Sequence, residues 1–311
     1  MDMPKPNLNT SIFSALENSQ SAWDHACNSD FKEELFNRAI ELAFLEDLGP
    51  TYTDLTTSAL DHTDKETRAI IYCKSQPAII AGVSLIEPVF QKIGSKTMVK
   101  PLVVEGYRVS QAPVAIAQIM GLTSHILASE RIALNLLQRM CAVATTTSLF
   151  VEKAKKHNIA ILDTRKTTPG LRIFEKYAVL VGGGQNHRFG LNDAILIKDN
   201  HIQMAGSITH AVKLLRLQYA NKQLEVECTS LEEVKESLNL QVDRILLDNM
   251  STNLVKEAVT LIQEQCLVEV SGGVNLSNID GYLIKGVNAI SVGALTHSTV
   301  NIDLSLEVEN Q

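Results

Sequence analysis

The segment AILIKDNH, residues 194–201, decides how the second half of the chain is read. Ala194, Ile195, Leu196 and Ile197 form an apolar run of the length of a strand buried on both faces. Lys198 follows at once, His201 stands three residues beyond it, and His187 and Arg188 come shortly before the run. A buried strand cannot hold these charges along its length, but its C-terminal end can present them.

The same layout recurs in IAILDTRK (159–166), LEVEC (224–228), RILLDN (244–249), LVEVSGG (267–273) and AISVGA (289–294). Helical segments fill the gaps: SITHAVKLLRLQYA, SLEEVKESL and STNLVKEAVTLIQEQ. In the second of these, Ser230 and Glu233 have the spacing of a capping box. Strands alternating with helices imply right-handed βαβ units and a parallel sheet. Six units suit an open doubly wound sheet or a barrel. Each run carries its polar residues at its C-terminal end: Arg165 and Lys166, Lys198, Glu227, Asp248, Ser271-Gly272-Gly273, and Gly293. In a β/α barrel those ends converge on one mouth, whereas in an open sheet only the ends near the switch point do. The pattern favours the barrel. Glycines ending the last two runs suit a phosphate site, because backbone N–H groups can approach closely there.

The first half reads differently. FKEELFNRAIELAF (31–44) has helical apolar spacing, and Gly49 and Pro50 end it. Short apolar runs between Arg68 and Gln118, separated by Gly and Pro, read as an antiparallel sheet with a helix around SLIEPVFQKIG. Residues 124–156 read as a long helix with Ile132, Leu136, Leu137 and Met140 on one face.

The bulk properties exclude several classes. The net charge of −7 argues against general binding to nucleic acid or anionic membrane. No apolar run approaches a membrane span, and the polar start of the chain lacks a signal-peptide pattern, so the expectation is a soluble, cytoplasmic protein. The five cysteines, Cys27, Cys73, Cys141, Cys228 and Cys266, are widely spaced and contain no CxxC, which reads as buried thiols in a reducing compartment. Anion binding must then use a local basic pocket in an acidic body.

Arg165 offers a planar fork for carboxylate and Lys166 a point charge for phosphate. GGGQNHR (182–188) gives up about 1 kcal/mol per glycine in an ordered element, so something requires its backbone freedom. Lys198 suits an anion site or a Schiff base, and the cations around it favour the former. Glu227 and Asp248 balance the basic set, or serve Mg²⁺ or ribose hydroxyls. Cys228 reads as structural. His201 and His297 lack a clear third metal ligand. The residues alone thus suggest a barrel enzyme for a small polyanion and a phosphorylated sugar.

Several motifs in order resemble the quinolinate phosphoribosyltransferase family: SERIALNLLQR (129–139), DTRKTTPGLR (163–172), KYAVLVGGGQNHRFGLNDAILIKDNHI (176–202), EVEC followed by LEEV, ILLDNM (245–250), EVSGGV (269–274) and ISVGALTHS (290–298). The resemblance implies an N-terminal α/β sandwich domain over 30–133 with 300–311, a C-terminal incomplete, open α/β barrel of the phosphoribosyltransferase type over 134–299, and a weakly ordered extension over 1–29. It implies transfer of phosphoribose from phosphoribosyl pyrophosphate to quinolinate with loss of CO₂, giving nicotinate mononucleotide for NAD biosynthesis, with Mg²⁺ as cofactor. Lys166, Lys198, Glu227 and Asp248 match its catalytic positions, the two acids also serving Mg²⁺. Arg131, Arg165, His187, Arg188, His201, Ser271, Gly272, Gly273 and Gly293 match its substrate-binding positions. A homodimer, or a higher oligomer, is implied, with Arg131 reaching the neighbouring subunit's site. The chain departs from the family at Leu180 and Val181, where members often carry a basic residue, and at Cys141 and Ala142, where Ser and Gly are usual.

Overall fold

The structure is a computed structural model that describes residues 29–60 and 64–309; the expected extension over 1–29 lies almost wholly outside the described residues, as does Cys27. The chain divides into two units. The described part of one comprises 29–60, 64–145, 169–183 and 300–309, and the other comprises 146–168 and 184–299.

The first unit is built on helix α1 (Asp30–Leu48) and strands β1 (Glu66–Cys73), β2 (Ala78–Ile79), β3 (Met98–Pro101), β4 (Arg108–Val109) and β5 (Val114–Leu122), with the short helix α2 (Glu87–Gln91). Its main sheet has the order β12-β1-β5-β3, where β12 is Leu304–Val308, and every pairing is antiparallel. The last strand of the chain therefore completes the first unit's sheet. β2 and β4 form a separate small ribbon, and the expected strand AIIAGVSLI is paired only over its first three residues, Ile80 donating to Tyr107 O and accepting from the Gly106 N–H. Helix α1 buries Phe36, Ile40 and Phe44, one residue per turn, each worth ~1.5–3 kcal/mol of burial.

Helix α3 (Thr123–Ala154) runs through the expected 124–156 segment, and Ile132, Leu136, Leu137 and Met140 are all buried. Its residues 134–145, and the helix α4 (Arg172–Val181), were expected with the barrel but cluster with the first unit. Two contacts account for α4. Phe174 packs on Phe36 with ring centroids 5.2 Å apart, and the fully buried Glu175 accepts hydrogen bonds from Arg139 Nε at 2.9 Å and Nη2 at 2.7 Å. Leu180 and Val181, the departures noted above, are buried in the last turn of α4. Cys141 is fully buried against Ala81, which pushes its thiol up to about 12.

The second unit contains all six expected strands: β6 (Ala160–Leu162), β7 (Ile195–Ile197), β8 (Leu224–Cys228), β9 (Arg244–Asp248), β10 (Leu267–Ser271) and β11 (Ala289–Ser291). They form one parallel sheet in the order β6-β11-β10-β9-β8-β7. From β7 to β11 each strand pairs with the next in sequence, and β11 then pairs with β6. That is the cyclic order of a barrel, open only between β6 and β7. A doubly wound sheet would show a switch point, and none occurs. The architecture is thus mixed α/β, a small antiparallel unit with an incomplete parallel barrel. Helices α5 (Asp199–Ala205), α6 (Ile208–Gln218), α7 (Leu231–Asn239), α8 (Thr252–Ile262) and α9 (Ala294–His297) fill the connections.

The capping box of α7 forms with one change of partner. Ser230 Oγ accepts the Glu233 N–H at 3.3 Å, but the Glu233 carboxylate accepts from the Thr229 N–H, one residue earlier than the motif requires.

Candidate active site

The strand ends of the second unit surround a cavity of about 700 Å³. Arg165 and Lys166 follow β6, Lys198 follows β7, Glu227 lies near the end of β8, Asp248 ends β9, Ser271 ends β10 and Gly293 follows β11. All of them line the cavity, together with His187, Arg188, Gly272 and Gly273. Inward positions alternate along a strand, so Leu196 lies below Lys198 and Leu246 below Asp248 on the same face.

The loop after α4 delivers His187 and Arg188. Gly183 takes φ +86°, a left-handed conformation that a side chain would strain. Gln185 then pairs with β6, its N–H donating to Ile161 O at 2.8 Å. The buried carboxylate of Asp163 anchors the rest, accepting from Asn186 Nδ2 at 2.6 Å and from the His187 N–H at 2.9 Å. Arg188 is buried and its Nη1 donates to Ala194 O at 3.1 Å. Burial, then the neighbouring charge of Arg165, lowers its affinity for a proton, so an anion placed there is strongly favoured.

Lys198 Nζ donates to Glu227 Oε2 across adjacent strand ends. Asp248 Oδ2 accepts from Asn249 Nδ2 at 2.7 Å. Asn249 itself takes φ +53°, and its N–H donates to Ser271 O at 2.9 Å. Gly272 takes φ +96° directly against it, and a Cβ there would lie 2.3 Å from Asn249 Oδ1. On the other side, Thr296 Oγ1 donates to Lys166 O at 2.6 Å and ties α9 to the basic loop.

Below the mouth lies a buried polar layer. His187 Nε2 is 3.1 Å from Glu225 Oε2 and 3.6 Å from Glu269 Oε2. Glu269 also accepts from Arg244 Nη1 at 2.9 Å and from Ser291 Oγ at 2.5 Å. Burial and the Glu225 charge raise Glu269 to about 7, against the opposing pull of His187, Ser291 and Arg244. For His187 burial acts downward, but the Glu225 hydrogen bond and the charges of Glu269 and Glu225 outweigh it, and its affinity for a proton is raised.

Two expected site residues are not among those lining this cavity. His201 is exposed in the first turn of α5, where its Nδ1 accepts the Lys198 N–H at 3.0 Å and caps the helix. It lines a neighbouring, largely apolar cavity with Arg188 and Leu196. Arg131 belongs to the first unit and is exposed on α3, its Nη2 3.8 Å from Glu130 Oε1. Asp163, Asn249, Glu225, Glu269 and Ser291 are the structural additions to the site. The signal for Glu225 and Glu269 was available: they precede Glu227 and Ser271 by two residues and so share their face. Cys228 is buried and its thiol is pushed up to about 12, chiefly by burial, which fits a structural residue rather than a nucleophile.

Comparison with known proteins places the chain. Residues 54–141 match the model of the quinolinate phosphoribosyl transferase N-terminal domain, and residues 143–307 match that of the C-terminal domain. The chain is 38% identical over 291 residues to the carboxylating nicotinate-nucleotide pyrophosphorylase of Arabidopsis thaliana, covering 88% of this chain and 82% of the relative. It is 39% identical over 266 residues to the probable enzyme of the same name from Bacillus subtilis, covering 85% and 90%. The solved nicotinate-nucleotide pyrophosphorylase of Francisella tularensis superposes with a TM-score of 0.83 at 34% identity, over 89% of this chain and 96% of that one. With both family domains matched in order over a cavity lined by the expected cations and acids, the chain belongs to the quinolinate phosphoribosyltransferase family.

Proposed function

We propose that this protein transfers the phosphoribosyl group of phosphoribosyl pyrophosphate to the ring nitrogen of quinolinate, with loss of CO₂ and pyrophosphate, forming nicotinate mononucleotide for NAD biosynthesis. The observation that carries this reading is one cavity lined by Arg165, Lys166, His187, Arg188 and Lys198, with Glu227 and Asp248 beside them and the Ser271–Gly273 and Gly293 loops at its edge. Family membership supports the same reaction.

The chemistry accounts for the residues. The pyridine nitrogen is the nucleophile, so no strong general base is required. Arg165 and Arg188 are suited to grip the two carboxylates, and holding the ring at the anomeric carbon supplies up to ~7–11 kcal/mol of barrier reduction. Lys166 and Lys198 offset charge on the leaving pyrophosphate, and Glu227 faces the positive charge that develops on the ribose. Ser271, Gly272, Gly273 and Gly293 offer backbone to the 5′-phosphate. Once ribose is attached, the ring nitrogen is cationic. The carboxylate beside it leaves as CO₂, and the electron pair remains next to that positive nitrogen until a proton replaces it. Enclosure from water favours this step.

Glu227 and Asp248 suit Mg²⁺, since both are hard oxygen donors on adjacent strands lining the cavity. Bound there with pyrophosphate, Mg²⁺ supplies neutralisation of the leaving group. The active form in this proposal is a homodimer in which Arg131 serves the neighbouring subunit's quinolinate site. No helix of the described residues is long and apolar enough to cross a membrane. The described cysteines are free thiols, which supports the proposed cytoplasmic setting.

The test is turnover of purified protein with phosphoribosyl pyrophosphate and Mg²⁺, offered quinolinate or nicotinate as the ring substrate. Product from quinolinate alone is expected. Turnover of nicotinate, or tight binding without turnover, overturns the proposal.

A further inference from the structure

Beneath the cavity, three neighbouring strands each direct one charged side chain toward the same buried point: Glu225 from β8, Arg244 from β9 and Glu269 from β10. His187 meets this group from above through Nε2. Neither glutamate belongs to the transfer chemistry described above.

The three closely spaced groups His187, Glu225 and Glu269 have the donor types of a metal site. Their partners argue otherwise. The Glu269 oxygen that faces His187 already accepts from Arg244 Nη1, and its other oxygen accepts from Ser291 Oγ. A divalent ion would meet a guanidinium directly across one of its ligands. Charge arithmetic gives the alternative: two carboxylates and Arg244 leave one negative charge, and a protonated imidazole cancels it. The donors on Glu269 favour its ionised form, so the shared proton belongs on the ring. Glu225 Oε1 is buried with no hydrogen-bond partner, so the attraction of Glu225 for a cation is focused on the side where His187 stands.

We propose that Glu225 and Glu269 are positioning residues acting through His187: they clamp its Nε2–H and hold the ring as an imidazolium in the wall of the cavity, where it faces the dianionic ring substrate. This rests on the function proposed above, and it adds a charge that a free histidine would lose near neutral pH. The groups facing His187 are Glu225, Arg244 and Glu269 from the strands beneath, Asp163 through the backbone N–H, and Arg188 beside it. Burial, the largest single effect, and Arg244 oppose the shift, and the two acids outweigh them.

The experiment is ¹⁵N spectroscopy of the whole protein labelled at histidine, with the His187 signals assigned by their loss in His187→Asn. The paired ring-nitrogen shifts distinguish an imidazolium from either neutral tautomer. In the wild-type protein the His187 midpoint is expected above that of an exposed histidine, and in Glu269→Gln it is expected to fall. In the same variant the KM for quinolinate at about pH 8 is expected to rise about tenfold, as for loss of one charge-assisted contact to the substrate, with kcat changed less than about threefold. A His187 that is neutral at pH 7 in the wild-type protein overturns the proposal, whether or not the variant folds. So does a folded Glu269→Gln protein with an unmoved midpoint. Wild-type protein that fails to turn over quinolinate refutes the proposed reaction instead, while the spectrum still decides the clamp.

Discussion

Lys198 and Glu227 form an ion pair between the ends of two adjacent parallel strands, and Glu227 is the more buried of the two. The lysine is half-exposed at the mouth, so the pair holds its ammonium in place without removing it from substrate. Lys198→Ala should lower kcat by roughly 10²-fold, as for loss of one preorganised charge at a developing anion. Because the two groups act as a unit, Lys198→Ala and Glu227→Ala together should cost much less than the product of their separate effects. Steady-state kinetics of the two single variants and the double variant check this; fully multiplicative losses would show that the pair is incidental.

Arg188→Ala should raise the KM for quinolinate and also lower kcat. The guanidinium is buried, donates to the Ala194 carbonyl and lies within reach of the Arg165 charge. Unchanged kinetics would remove Arg188 from the site.

Gly272→Ala should damage both stability and phosphate binding. Its φ of +96° strains any side chain, and the new Cβ would lie 2.3 Å from Asn249 Oδ1 and 2.7 Å from Asn249 N. A loss of ~1–3 kcal/mol in stability is expected from strain at such a position, with a raised KM for phosphoribosyl pyrophosphate. By contrast Gly273→Ala meets nothing within 4 Å and carries only the cost of its φ of +63°. Thermal melts and KM values of the two variants separate clash from strain.

Arg139→Ala should destabilise the first unit by ~3–5 kcal/mol, because it leaves the fully buried Glu175 carboxylate without its guanidinium. Denaturant titration measures this, and a loss below about 1 kcal/mol would mean that other partners carry Glu175.

Stability should fall as pH rises through neutrality. The shared proton is held on His187, whose affinity for it is higher in the folded protein than in the unfolded chain. Its contribution is therefore complete below the ordinary histidine value of 6.5 and is lost as pH rises through the raised folded midpoint. Glu269→Gln should show a shallower decline in Tm between about pH 6 and about pH 8.5. An equal or steeper decline would contradict the shared buried proton.

Much of the second unit was legible before folding. Six apolar runs with polar ends were visible because parallel strands buried on both faces leave little alternation to obscure them. The placement of Lys198, Glu227, Asp248 and Ser271 at one mouth followed from barrel convergence. Less legible was whatever depended on partners distant in sequence. Helix α4 reads as part of the barrel until Phe36 and Arg139 are seen to hold it in the first unit. Glu225 and Glu269 read as ordinary strand residues, because the histidine and arginine that neutralise them lie 38 and 25 residues away. His201 looked like one more cation of the site, and its nitrogen instead caps the helix that follows Lys198.

The proposed sharing of Arg131 between subunits has its own test. Arg131→Ala and Arg165→Ala proteins, each inactive alone, should regain part of the activity when mixed under conditions of subunit exchange, since some hybrids hold one intact site. No recovery despite demonstrated exchange would count against sharing.

The most direct measurement of the central claim uses quinolinate labelled in the carboxyl group adjacent to the ring nitrogen, with phosphoribosyl pyrophosphate and Mg²⁺. The account predicts labelled CO₂ and nicotinate mononucleotide in equal amounts, formed together. Release of no label, or nicotinate mononucleotide formed from nicotinate without CO₂, would contradict it.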